Sequence, residues 1–518
     1  MTPRRASIWA ATVGLGSAAV VVAVTELVAL LLAPASSPVL AVGSLVIDLA
    51  PPWLKDLTIA LFGEADKIVL LVMVGLLVAV LAIIAGVLEH RRPPGGSVLL
   101  GAVGVVALVA VLTRAEATPL WALPTLVGTA AGVVALRRLM ALLGRWSAAR
   151  GTSAAAVRSA GVARRSFLGG LAATAAGAVV VGLASRAANV ATSVASTVRE
   201  ALRLPAATTR AAAPPLGAEL AVPGITPLVT ANRDFYRIDT ALQVPRIDAS
   251  QWRLRVTGMV EEEVEIGWDE LVALPLQEAY VTLMCVSNEV GGDLTGNALW
   301  LGYPIREILA RARPLPEADM VLSRSQDGWT AGTPLEVLQD PERDALLAIG
   351  MNGELLPLEH GFPARLVVPG LYGYVSATKW VVELKVTRFD RDIGYWTPRG
   401  WSALGPVKTH SRIDVPRDRT RLAAGTTAIA GIAWAQHTGI ERVEVRIDGG
   451  AWQRARLAEA ISIDTWRQWV LDWSAEPGTH VIEVRATDLA GRTQTEPYVP
   501  VAPDGAEGYH GIVVQVDA

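Results

Sequence analysis

The sequence predicts a chain of three parts: an N-terminal α-helical membrane anchor of about five spans, an α+β domain, and a C-terminal all-β sandwich of immunoglobulin-like type. Three observations predict it. Over 518 residues the hydrophobic share is 52% and the mean hydropathy +0.38, but the excess is confined to residues 1–200, which hold long apolar runs. Residues 218–518 read as ordinary soluble protein and carry 12 of the 16 Trp. From about Gly224 short β-branched runs broken by Gly and Pro take over, and after Arg421 strict two-residue alternation dominates.

The apolar spans are Ile8–Leu32, Ile68–Leu88, Val98–Leu112, Leu120–Leu136 and Phe167–Ala184. Each approaches the roughly 20 residues that cross a bilayer, with the third and fourth short. The intervening charges alternate. Arg4, Arg5, Arg91, Arg92 and the series Arg137, Arg138, Arg145, Arg150, Arg158, Arg164, Arg165 fall on one side. Lys55, Lys67 and Arg114 fall on the other, offset by Asp48, Asp56, Glu64 and Asp66. The positive-inside rule then puts the N-terminus in the cytoplasm and the last 300 or so residues outside the cytoplasmic membrane.

Arg164-Arg165-Ser166-Phe167-Leu168 before the fifth span resembles a twin-arginine export signal in an internal position; a basic anchor for a membrane helix is the plainer reading. The six histidines (His90, His360, His410, His437, His480, His510) all lie outside the spans, so no haem is expected in this chain. Glu26, the one acid within a span, sits near its outer end, where an interfacial position accounts for it. The net charge of −3 leaves no basic surplus for phosphates and excludes a nucleic-acid partner. A single Cys excludes an internal disulfide and a paired-cysteine metal knuckle.

The composition of 186–217, rich in Ser, Thr, Ala and Pro, reads as a tether. Beyond it, Trp252–Gly258 and Arg365–Pro369 read as strands, and Trp268–Ala273 and Ile305–Arg311 as short helices. In the last hundred or so residues Glu441–Ile447 and Val481–Ala486 alternate as strands, and Asp448-Gly449-Gly450 reads as a turn. The boundaries that follow are 1–185 for the anchor, 186–217 for the linker, 218–415 for the α+β domain and 416–518 for the sandwich.

Leu283-Met284-Cys285-Val286-Ser287-Asn288 taken alone is a strand end with a thiol, and a lone Cys among apolar neighbours is usually a small buried hydrophobe. Its company changes that reading. Downstream come the turn-rich Asp293–Gly302, then Met351-Asn352-Gly353, His360-Gly361-Phe362-Pro363-Ala364-Arg365, Pro369-Gly370 and Ser376-Ala377-Thr378-Lys379-Trp380. Lys is scarce, five residues against 41 Arg among 46 basic ones, so Lys379 is informative. In this order the motifs resemble the molybdopterin-binding domain of sulfite oxidases and assimilatory nitrate reductases. The all-β tail, with Ala433-Trp434 and Asp472-Trp473, resembles that family's immunoglobulin-like dimerisation domain. The resemblance covers about residues 223–518, and the anchor falls outside it.

The resemblance implies a molybdenum–molybdopterin cofactor with Cys285 as the metal ligand, a soft thiolate suited to a redox metal. It implies that His360, Arg365 and Lys379 meet the anionic pterin phosphate, with Ser376 and Thr378 beside them. Asn232-x-x-Phe235-Tyr236 resembles the segment that packs over the cofactor in related methionine-sulfoxide reductases; a turn before an edge strand is the plainer reading. Cys285, Tyr236 and Arg237 are the candidate catalytic residues. Asp293 and Arg399 are further pocket candidates.

Two departures bear on the substrate. Vertebrate-type sulfite oxidases carry Phe-Phe-x-Arg-Asn-His where this chain has Phe235-Tyr236-Arg237-Ile238-Asp239-Thr240, so Ile238 stands at the sulfite-binding Arg position. A one-residue shift in an extended segment turns Arg237 to the opposite face. The family's active-site Tyr is replaced by Pro398, with Tyr395 out of register. The expected activity is two-electron oxygen-atom transfer on a small oxyanion or a sulfoxide- or N-oxide-like substrate. Sulfite dehydrogenase proper and a non-catalytic membrane-tethered module are the alternatives. Expected partners are a small-molecule substrate, a separate cytochrome or quinone-linked electron carrier, membrane lipid and a second copy of the chain.

Overall fold

In lipid an unbroken apolar run satisfies its own backbone polar groups as helix, and among the described residues the long apolar runs up to Ala191 are helical. The computed structural model describes the chain apart from residues 1, 52–53, 55–57, 59–60, 63–65, 115–116, 150–153, 192–198 and 200–201. Lys55, Asp56, Glu64 and Arg150 of the charge pattern, and part of the expected tether, lie outside the described residues. The chain divides into two compact units, Met1–Val194 with Thr240–Gln243, and Ala195–Asp239 with Val244–Ala518.

In the first unit five helices are long and apolar enough to cross a bilayer: Arg4–Leu32, Lys67–Arg91, Gly95–Leu112, Pro119–Ala148 and Arg158–Leu183. They extend the expected spans, the fourth most of all, because flanking Arg and Ala residues continue the helix beyond the apolar stretch. A shorter apolar helix, Pro38–Leu49, was not anticipated. The first helix packs against the second, fourth and fifth spans. Gly14 and Gly86 let two of them approach closely: a Cβ on Gly86 would collide with the Ala10 carbonyl, and one on Gly14 with that of Ala82. Trp9, Trp146 and Phe167 interlock with ring centroids 5.5–5.8 Å apart, so Phe167 of the Arg-Arg-Ser-Phe motif is fully buried. Glu26 accepts from Ser37 Oγ at 2.6 Å, and Arg114 pairs with Asp48 at 3.0 Å.

In the second unit, period-two patterning yields two sheets that position the site. One runs Val264–Gly267, Arg253–Gly258, Val381–Thr387, Met320–Ser325, Thr330–Pro334, with the second and third strands parallel and the other pairs antiparallel. The other is antiparallel: Gln277–Met284, Thr295–Pro304, Leu346–Met351, Glu354–Leu355, with Arg365–Val367 also on Leu346–Met351. Helices Trp268–Ala273 and Ile305–Ala312 fall where the sequence predicts them. The core is dense with rings: Trp252, Trp300, Trp380, Tyr372 and Phe362 are all fully buried.

The C-terminal part is β-rich. A sheet of His410–Val415, Gly425–Trp434, Arg467–Ala475 and Arg456–Leu457 packs on a second of Arg421–Ala423, His510–Asp517, Gly478–Asp488, Ile440–Ile447 and Gln453–Arg454. Its first strand starts six residues before 416, since Ser411 and Ile413 pair with Gly425–Trp434. Residues 202–211, whose composition suggests a tether, are laid on the α+β domain: Thr208 N–H donates to Leu276 O at 2.8 Å and Glu278 N–H to Thr209 O at 2.9 Å. Just upstream, the Arg199 guanidinium donates to the carbonyls of Leu355 and Leu356 at 2.9 and 3.0 Å.

Candidate functional site

Strand Gln277–Met284 ends one residue before Cys285, where the chain must turn. The turn is pinned: Cys285 N–H donates to Leu294 O at 2.9 Å, and Asn288 Oδ1 accepts from Leu294 N–H at 2.7 Å. Cys285 is free and only 8% exposed. Burial pushes its thiol above the usual range, against hydrogen bonds from Ser287 and the charge of Lys379, which favour the thiolate. Behind it, Trp434 Nε1 of the sandwich donates to Met284 Sδ at 3.0 Å.

Three buried basic groups gather in the Gly-rich segment downstream, and the charge of one of them, Lys379, acts on this thiol. Gly361 adopts φ +113°, and a Cβ there would crowd Arg365 Cβ at 3.0 Å and Lys379 Cβ at 3.2 Å, so the His-Gly motif is a packing requirement. Arg365 lies over the Trp300 ring at 5.1 Å and donates to the carbonyls of His360 and Ala377 at 3.2 and 3.4 Å. Burial lowers its guanidinium to about 10, leaving it charged at neutral pH. Lys379 Nζ donates to Asp239 Oδ2 at 2.8 Å and to Glu359 O at 3.1 Å. Burial, and secondarily Arg365, lower it to about 8 against the pull of Asp239. His360 is driven down to about 4 by burial and by Arg365 and Lys379, so its ring is neutral at pH 7. Its Nε2 lies 3.0 Å from Asn232 O.

The segment from Asn232 closes over these groups. The Asn232 amide donates to Met351 O at 3.2 Å and Glu354 Oε1 at 2.5 Å, and accepts from Asn352 Nδ2 at 2.8 Å. Asn352, in the left-handed region at φ +51°, also receives Leu299 N–H at 2.9 Å; the Met-Asn-Gly motif is thus a hairpin turn that holds Asn232. Phe235 stacks on Tyr236 at 5.2 Å and meets Trp300 and His360 edge-on at 5.7 and 5.6 Å. Burial, then Cys285, holds the Tyr236 hydroxyl above the normal tyrosine range, while Arg365 opposes.

The remaining predicted residues are placed differently. Ser376 Oγ donates to Tyr372 O at 2.9 Å and Thr378 Oγ1 lies 2.7 Å from Ser323 Oγ, both fully buried, so these hydroxyls are engaged within the protein. Arg237 Nε is 3.0 Å from Asp239 Oδ2. Ile238 is 36% exposed and Pro398 exposed. Arg399 stacks over Tyr395 at 3.7 Å, and Asp293 is exposed on its loop. Asp239 was passed over in the sequence because an acid in an irregular segment carries no pattern. Only folding brings it to Lys379, 140 positions on.

One soft thiol beside buried cations, under a lid of aromatic rings, fits a metal–dithiolene cofactor with a phosphate tail. A Cβ on Gly373 would lie 4.0 Å from Tyr236 Oη and 3.7 Å from Met284 O, so this glycine keeps space open beside the thiol's strand. These features define a molybdopterin-binding oxidoreductase domain. Residues 241–396 match the family model for the oxidoreductase molybdopterin binding domain, and this match with the relatives below supports a molybdopterin oxidoreductase of the sulfite oxidase family. It is 29% identical to human mitochondrial sulfite oxidase over 321 residues, 53% of this chain and 58% of the human one. It is 30% identical to an NADH nitrate reductase of Brassica napus over 291 residues, 46% of this chain and 30% of that one. The sulfane dehydrogenase SoxCD of Paracoccus pantotrophus aligns with a TM-score of 0.49 at 23% identity, covering 57% of this chain and 85% of that one. The chain thus spans somewhat over half the length of the human relative.

Proposed function

We propose that the chain carries out two-electron oxygen-atom transfer on a small oxyanion or a sulfoxide- or N-oxide-like substrate, outside the cytoplasmic membrane. The observation that carries this reading is the buried cluster of His360, Arg365 and Lys379, with the Lys379 charge acting on the buried Cys285 thiol. Cys285 is the metal ligand; Asn232, Phe235, Tyr236, His360, Arg365, Ser376, Thr378 and Lys379 cradle the pterin, Ser376 and Thr378 through their backbone. Tyr236 and Arg237 border the substrate side. Bound molybdenum supplies the redox chemistry, and the chain supplies ligand, charge and orientation. A separate cytochrome or quinone-linked carrier exchanges the two electrons, accepting them when an oxyanion is oxidised and supplying them when a sulfoxide or N-oxide is reduced. The C-terminal part acts as an immunoglobulin-like dimerisation sandwich, and the five helices anchor the chain in lipid with the catalytic part extracytoplasmic, as the Arg asymmetry supports.

Sulfite dehydrogenase is the second reading, favoured by the sulfite oxidases among the relatives and by Arg237 lying near Lys379. Against it stand Ile238 and Pro398 at the positions of the family's sulfite-binding Arg and active-site Tyr. Elemental analysis of chain purified from a host that makes the cofactor tests the first reading. Absence of molybdenum, or its full retention with undiminished turnover in Cys285→Ser, would overturn it. Assays with sulfite, sulfoxides and N-oxides and an artificial electron mediator separate the substrate classes.

A further inference from the structure

The charges around the pocket can be counted. Arg365, Lys379 and Arg237 bring three positive charges, and His360 brings none at neutral pH. Asp239 brings one negative charge, with a side chain 7% exposed; its Oδ2 lies 2.8 Å from Lys379 Nζ and 3.0 Å from Arg237 Nε. A phosphate monoester carries roughly 1.5 to 2 negative charges at neutral pH. Once such a tail is bound, phosphate and Asp239 together nearly balance the three cations. Among these groups at most about half a positive charge remains to offset the desolvation of an anionic substrate. Asp327, whose carboxyl burial and Asp239 hold above its usual range, and Glu359, next to His360 in the chain, add only negative charge.

We propose that Asp239 sets the substrate class: a fixed internal carboxylate occupies Arg237 and Lys379, so the site selects a neutral oxygen donor, a sulfoxide or N-oxide, over an oxyanion. This inference rests on the molybdopterin reading, and the two fail separately. Asp239 acts through the two cations, as a positioning and specificity residue.

The test uses the full-length, molybdenum-loaded chain. The ratio of kcat/KM for sulfite to that for dimethyl sulfoxide is measured for the native chain, Asp239→Asn and Asp239→Glu. Sulfate affinity is measured in parallel by isothermal titration. Asp239→Asn frees a cation and should shift the ratio toward sulfite by about tenfold or more, mainly through KM, the scale of one charge-assisted hydrogen bond. Sulfate binding should tighten in step. Asp239→Glu should keep the native preference, and adding Arg237→Gln to Asp239→Asn should reverse the gain. A loaded Asp239→Asn chain with unchanged ratio and unchanged sulfate affinity would overturn the proposal and leave the cofactor assignment standing. Should that variant lose molybdenum, the native chain decides: preference for the sulfoxide with weak sulfate binding supports the proposal, and efficient sulfite oxidation with tight sulfate binding overturns it. A native chain without molybdenum overturns the cofactor reading itself.

Discussion

The Lys379 ammonium lies 2.8 Å from Asp239 Oδ2, the same oxygen that Arg237 Nε approaches at 3.0 Å. A lysine 9% exposed in the folded chain is thus tied to the segment that carries Asn232, Phe235 and Tyr236. Lys379 and the segment 232–239 are one electrostatic unit.

Lys379→Gln should therefore weaken cofactor retention as well as the lid. Loss of one buried charge-assisted hydrogen bond costs about 1.5–3 kcal/mol, a tenfold or larger change in affinity. Molybdenum per purified chain should fall several-fold, with Lys379→Arg intermediate because a guanidinium keeps the charge but is a broad planar fork where a compact ammonium fits between Asp239 and Glu359 O. Native molybdenum content in Lys379→Gln would remove Lys379 from the cradle.

Acid stability has a defined sign. His360, His410 and His510 are each pushed by burial to about 4, below an unfolded value near 6.5. Between those values the unfolded chain binds more protons, so stability is lost as pH falls from 6.5 to 4, on the order of 2 kcal/mol per ring. His410→Gln keeps a donor for Ala506 O, the His410 partner at 3.0 Å, and should flatten the slope of Tm against pH in that window. An unchanged slope would show that His410 does not titrate on unfolding.

In the helical unit, Gly86→Val places methyl groups where the Ala10 carbonyl already sits. The two helices must part, at a cost of about 1–3 kcal/mol or more for overpacking. Thermal unfolding in detergent should drop clearly. Gly75→Val, where a Cβ meets nothing within 4 Å, should leave it unchanged.

Topology is checked by fusion. A reporter after Ala518 should be active only on the outer side if the Arg asymmetry governs insertion. Paired Arg164→Lys and Arg165→Lys should strand that reporter inside if the internal motif is an export signal, and unchanged export would leave it a basic anchor.

The sequence was most legible where a single physical constraint dominates. Apolar length marked the five long helices. Period-two alternation marked Ile440–Ile447 and Gly478–Asp488, which pair as neighbours, with the Asp448-Gly449 turn in the left-handed region. Helix Pro38–Leu49 escaped because twelve apolar residues satisfy neither a span nor an amphipathic pattern. At the site, Cys285, His360, Arg365 and Lys379 stood out through motif order. Asp239 did not, since its meaning lies in a contact across 140 residues. Ser376 and Thr378 were read from position alone, and position does not say that their hydroxyls face inward to Tyr372 O and Ser323.

The strand that ends at Met284, next to Cys285, depends on partners far along the chain. Thr282 N–H donates to Asp464 O at 3.0 Å, Trp466 N–H to Thr282 Oγ1 at 2.8 Å, and Trp434 reaches Met284. During synthesis, the ribosome has therefore built nearly nine-tenths of the polypeptide before this strand acquires those neighbours. Such long separations are slow to close. The wall behind Cys285 is completed late, and a nascent chain stopped before residue 434 presents the thiol without its finished support. If Cys285 is the metal ligand, as proposed, a cofactor that arrived before those contacts form would meet a site whose wall is unfinished.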